Sequence, residues 1–139
     1  MDELKWEHAD EWKCAGNDFM VMVRRHYDEP PAYITRLYSR GPHRWCVYAY
    51  IYPNHPHFER IQGDGWCQES LSELPLHCGV SYFKRHWDGE NNTSLQVGCD
   101  YNHINDDRYT QMATKEDADS VFRDADELFM WLADLGRKD

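Results

Sequence analysis

The chain has no run of apolar residues near the ~20 that a membrane-spanning helix needs. Its first residues, Met1-Asp2-Glu3-Leu4-Lys5-Trp6-Glu7, are acidic from the second position and lack the basic start and apolar stretch of an export signal. The five cysteines, at 14, 46, 67, 78 and 99, are odd in number and include no Cys-x-x-Cys pair. They read as reduced thiols in a cytoplasm. No Walker sequence and no Gly-x-Gly-x-x-Gly run is present, so a standard phosphate cradle is excluded. Bases are scarce. Fifteen Lys and Arg stand against 25 Asp and Glu, for a net charge of −10. Such a chain has little counterion release to offer a phosphate backbone, and direct binding of nucleic acid is not expected.

The acids that are present gather at the two ends. Residues 1–18 hold six acids and two bases, and residues 115–135 hold seven acids and two bases. The middle is close to neutral. Aromatic residues are abundant, with six Trp, nine Tyr and five Phe. Tyr and Trp fill small cores and are also favoured at interfaces, so this composition suits a recognition protein better than a minimal enzyme.

The 139 residues suit a single domain, 1–139. Residues 1–17 are polar and read as an N-terminal arm or short helix, with Trp6 and Trp12 as anchors. Phe19-Met20-Val21-Met22-Val23 reads as a buried strand that ends at Arg24-Arg25-His26-Tyr27. Asp28-Glu29-Pro30-Pro31 breaks it, and residues 32–38 lean towards strand. The run 44–52 is the strongest strand, with Trp45, Val47, Ala49 and Ile51 on one face and Cys46, Tyr48, Tyr50 and Tyr52 on the other. Residues 56–61 suit one helical turn. Strands follow at about 79–86 and 94–102, joined by a turn through Asp88-Gly89-Glu90-Asn91-Asn92.

Residues 114–136 form the clearest helix. Thr114 and Asp117 have the spacing of a capping box, and Gly136 is a natural stop. Ala118, Val121, Phe122, Ala125, Leu128, Phe129, Leu132 and Leu135 recur at three- and four-residue spacing. Met130 and Trp131 fall off that stripe and are expected at the surface. The expected fold is α+β: a mostly antiparallel sheet of about four strands with the long C-terminal helix packed on one face.

Two sets of residues are candidates for function. Strand-like runs end three times in knots of His, Cys and Asp, and neighbouring strands could bring these together. His55, His57, His77, Asp100 and His103 then form a ligand site, the setting for a small metal- or ligand-binding enzyme. Cys99, Tyr101 and His103 share one strand face by the period of two, whereas Asp100 lies on the other. Convergence of that knot needs a bend or bulge at Gly98. Cys78 is badly placed for activation by adjacent His77, because consecutive strand side chains point oppositely. No coherent catalytic set emerges, and neither a resident metal nor a cofactor is expected. The second set lies on the last helix. Asp117, Asp119, Asp124, Asp126, Glu127 and Asp134 fall off the apolar stripe and could imitate a row of phosphates, with Trp131 as an exposed anchor.

Trp45-Cys46-Val47-Tyr48-Ala49-Tyr50-Ile51-Tyr52-Pro53-Asn54-His55-Pro56, Leu76-His77-Cys78-Gly79-Val80-Ser81-Tyr82 and Val97-Gly98-Cys99-Asp100-Tyr101-Asn102-His103 resemble a group of small phage and prophage proteins of unassigned function. The resemblance covers roughly residues 43–132 and carries no catalytic residues to transfer. It implies a context in a bacterial host cell, where small acidic phage proteins bind and disable host factors, anti-CRISPR proteins among them. The expectation is an acidic, non-enzymatic interaction protein. Asp117, Asp124, Asp126, Glu127 and Trp131 would dock on a host protein with a basic, nucleic-acid-binding surface.

Overall fold

Alternation of large apolar residues along five segments gives each strand one face that must leave water. The computed structural model describes residues 7–8, 11–27, 43–56, 58, 74–77, 80–101, 109 and 111–136. These segments form β1 (Glu7–His8), β2 (Glu11–Gly16), β3 (Phe19–Tyr27), β4 (His43–Ile51), β5 (Tyr82–Asp88) and β6 (Asn91–Asp100), followed by the helix α1 (Asp119–Gly136). The strands make one sheet in the order β1-β2-β3-β4-β6-β5, with every neighbouring pair antiparallel. The α+β expectation holds, with a mostly antiparallel sheet and the long helix on one face.

Register lines up the buried faces. Val21 pairs with Ala49 and Ala49 with Val97; Val23 pairs with Val47 and Val47 with Cys99; Phe19 pairs with Ile51 and Ile51 with Leu95. All of these side chains are buried. The helix lays Ala118, Val121, Phe122, Ala125, Leu128 and Leu132 on this layer, as the three- and four-residue spacing requires. At one end Trp12 stacks on Trp45 with ring centroids 5.5 Å apart, and Phe122 meets both edge-on at 5.3 and 6.0 Å. Trp45 Nε1 donates to the Met112 carbonyl at 2.8 Å. Arg25 lies over both indoles and donates to the Ala113 carbonyl. The segment entering the helix is thereby fixed to β3 and β4.

The N-terminal segment departs from the expected arm. Residues 11–16 are a strand, with Trp12 and Cys14 buried against the helix side. Gly16 pairs with Phe19 across a two-residue turn, Asn17-Asp18, in which Asp18 takes φ 64°. Asp tolerates this left-handed region, and such turns match the twist of a hairpin. The sheet therefore has more strands than the four expected. The turn between β5 and β6 is shorter than expected, Gly89-Glu90 alone, and β6 begins at Asn91. The helix starts at Asp119, later than residue 114. Residues 114–118 form the turn before it. There the Asp117 N–H donates to Thr114 Oγ1 at 3.1 Å and the Ala113 N–H donates to Asp117 Oδ2 at 3.4 Å. Half of the expected capping box is present, in that preceding turn, because the Asp117 carboxylate reaches the Ala113 N–H and not that of Thr114. Residues 32–38 and most of 56–61 lie outside the described residues.

Trp131 is also corrected. It is half-buried and packs against the core.

Burial separates the helix positions energetically. Leu128→Ala should cost about 2–5 kcal/mol in urea unfolding, as expected for a fully buried leucine. Glu116→Ala, at an exposed position, should stay within about 0.5 kcal/mol. Equal losses at the two positions would show that the buried face is assigned wrongly.

Candidate functional site

His55 follows β4 through a turn in which its N–H donates to the Tyr52 carbonyl at 2.9 Å and its own carbonyl accepts from the Phe58 N–H at 3.0 Å. Its ring is 2% exposed and lies edge-on to Phe19. Nε2 donates to the Leu132 carbonyl at 2.9 Å. Because a carbonyl only accepts, this contact holds the proton on Nε2. His55 is a buried strut between the end of β4 and the second half of the helix.

His77 lies at the other end of the sheet. Its ring stacks on Tyr101 with centroids 4.3 Å apart and planes 14° from parallel, and Tyr109 closes the group. Tyr101 is fully buried, and its hydroxyl donates to Asp124 Oδ2 at 2.6 Å. Burial, then the neighbouring Cys99, then the Asp124 contact raise the Tyr101 pKa well above the ordinary tyrosine value. Burial likewise pushes the Cys99 thiol up to about 12, against a smaller opposing pull from the His77 backbone N–H. A thiol held protonated in this way is a poor nucleophile.

The strand ends do not converge as the sequence suggested. Tyr101 N–H bonds to the Trp45 carbonyl, at the start of β4, whereas His55 follows Ile51 at its end. Six residues at ~3.4 Å each separate the two ends by about 20 Å. Asp100 sits on the opposite face of β6, half-buried, with its N–H donating to Ser81 Oγ at 3.2 Å. His57 and His103 lie outside the described residues. Gly98 carries no bulge; the register shift in this hairpin falls between His86 and Trp87. Among the described residues, no three His, Cys, Asp or Glu side chains are grouped to hold a metal ion. No helix among them is long and apolar enough to cross a membrane.

The acidic helix is sorted differently from its expected pattern. Asp124 is half-buried and accepts from Tyr101, and Asp126 is half-buried as well. Asp117 is exposed but caps the turn before the helix. The outer row is Glu116, Asp119, Glu127 and Asp134, all exposed, with one cation among them, Arg123, bound to Asp119 at 2.7 Å. Sequence spacing identified Asp119, Glu127 and Asp134 as off the stripe but did not select Glu116. The five long strands carry the reverse charge. They hold Lys13, Arg24, Arg25, Arg44, Lys84 and Arg85 against Glu11, Asp88 and Asp100. The charge is divided between layers, a pattern that counting along the chain did not reveal.

Two outcomes test these assignments. The raised Cys99 and Tyr101 groups hold their protons more tightly folded than unfolded. Their stabilising effect is complete below the unfolded cysteine value near 9 and is lost as pH rises towards 12. Urea midpoints should therefore fall from about pH 9 upward, less steeply in Cys99→Val; a flat profile in the native chain contradicts the assignment. His55→Ala should cost about 1–3 kcal/mol from the lost bond to a buried carbonyl, plus the cavity. His77→Ala should cost about 0.5–1.5 kcal/mol for the lost stacking. Melting temperatures of the two variants check the order.

Comparison of the chain with models of known protein families finds no match, and comparisons with curated proteins and with solved structures also find none.

Proposed function

We propose that the chain is a non-enzymatic interaction protein that docks the acidic outer row of α1 on a basic, nucleic-acid-binding surface of a partner protein. The observation that carries this reading is the exposed row Glu116, Asp119, Glu127 and Asp134, backed by a sheet whose five long strands hold six bases against three acids. The helix presents Asp119, Glu127 and Asp134 along about 22 Å, with Glu116 in the turn just before it, as a phosphate backbone presents a row of charges. Local complementarity of this kind steers association and selects partners by sign of charge. In this reading the partner is a host defence factor of a bacterial cell, and docking inhibits it.

The test begins with the immobilised chain and a bacterial lysate. The captured partner should be released by salt and by competing DNA or RNA. A triple variant, E116K/D119K/E127K, should slow association by an order of magnitude or more at low salt while keeping its circular dichroism spectrum. An unchanged association rate would sink this face as the docking surface.

A further inference from the structure

The last rung between β4 and β6 joins Ile51 to Leu95. The β5–β6 hairpin runs on past it through three more rungs, His86 with Ser94, Trp87 with Asn92 and Asp88 with Asn91, and closes at Gly89-Glu90. At ~3.4 Å per rung it reaches about 10 Å beyond the end of β4. Gly89 takes φ 63° at the first turn position, the arrangement of a type II′ turn, whose twist matches that of the strands. Trp87, Asp88, Glu90, Asn91 and Thr93 are exposed, so the tip of the hairpin is an arm in solvent.

Trp87 is 58% exposed, the one exposed tryptophan among the described residues. A bulge sets its direction. Thr93 has no rung partner, because His86 pairs with Ser94 and Trp87 with Asn92. Thr93 Oγ1 donates to the His86 carbonyl at 3.1 Å, and His86 Nε2 donates to Gln96 Oε1 at 2.8 Å. Bulges of this kind re-aim the side chains beside them.

The charge of the arm is of one sign. Residues 86–93 include Asp88 and Glu90 but no Lys or Arg. Neither acid has an ion pair among the described residues. Lys84 stands within the sheet opposite Gln96, and Arg85 lies over the Phe83 ring at 4.9 Å. Two more exposed acids share this end of the sheet. Asp18 lies in the β2–β3 turn, where its carbonyl accepts from the Tyr52 N–H at 3.0 Å. Asp134 follows Leu132, whose carbonyl is held by His55 just after β4. The acidic row of α1 therefore ends on the side of the molecule from which the arm extends.

We propose that the β5–β6 arm anchors the docking surface, with Trp87 entering an apolar pocket rimmed by basic side chains on the partner protein. The inference rests on the proposed function, since it concerns the same partner. Charge complementarity selects that rim: Asp88 and Glu90 flank the ring and carry no counter-charge of their own. Buried Trp side chains are frequent hot spots at the centre of interfaces, and losing one shows in the dissociation rate. Flanking acids act instead on association.

The test immobilises the native chain and its variants, and flows over them the heparin-retained protein fraction of a nuclease-treated bacterial lysate. W87A should dissociate at least tenfold faster than the native chain, with an association rate within twofold and an unchanged circular dichroism spectrum. W87F should recover part of the loss. D88K/E90K should slow association several-fold. A W87A variant that dissociates like the native chain overturns this inference; if E116K/D119K/E127K still slows association, the proposed function stands. Faster dissociation in W87A with no effect of that triple variant supports the arm and sinks α1 as the docking face. A native chain that retains nothing from this fraction overturns both. So does a native chain that sediments as a pair which W87A dissolves, because Trp87 is then seated in a second copy.

Discussion

The apolar stripe of α1 meets the sheet over β3 and β4, where Phe122 stands edge-on to the stacked pair Trp12 and Trp45. The rest of the structure depends on that contact. A sheet of this width needs a dry side, and β3, β4 and β6 turn their fully buried residues, from Val21 and Trp45 to Val97, to the side the helix covers. The helix is held at both ends of its length. Arg25 and the Trp45 indole bind the carbonyls of the segment that enters it, and His55 binds the Leu132 carbonyl near its far end. Ala118 and Ala125, fully buried, let the helix backbone approach the strands closely.

Elements with a strong internal period were legible in the sequence. β4 shows its two faces by simple alternation, and the helix shows its buried stripe by spacing alone. β2 was not legible in the same way. It is short and polar at every second position, and its turn is Asn17-Asp18, which lacks the glycine that marks most tight hairpins. Trp131 was misread because periodicity gives the centre of a helix face but not the width of its buried margin. Convergence of the last knot needed a bend or bulge at Gly98, whereas its small size serves the approach of Tyr48.

Among the described residues, His55 is held apart from the group around Tyr101 for a topological reason. β4 and β6 are antiparallel neighbours, so whatever follows one strand lies at the opposite end from whatever follows the other. Similar knots of His, Cys and Asp after each strand look equivalent in sequence, yet pairing direction holds His55 apart from the group around Tyr101. Charge followed a comparable course. The acidic ends were visible as runs, but the sorting of bases onto strands and acids onto the outer helix depends on which elements share a layer.

The helix that completes the core is the last of the described elements in chain order. During vectorial synthesis the strands emerge from the ribosome first, and of the described residues outside the sheet only Phe58, Leu74 and Tyr109 join the core cluster before residues 118–132 follow. Hairpins such as β2–β3 can pair early, because their contacts are local. The largest share of the dry side is covered only with the arrival of α1, so the nascent sheet keeps apolar surface open to water for that interval.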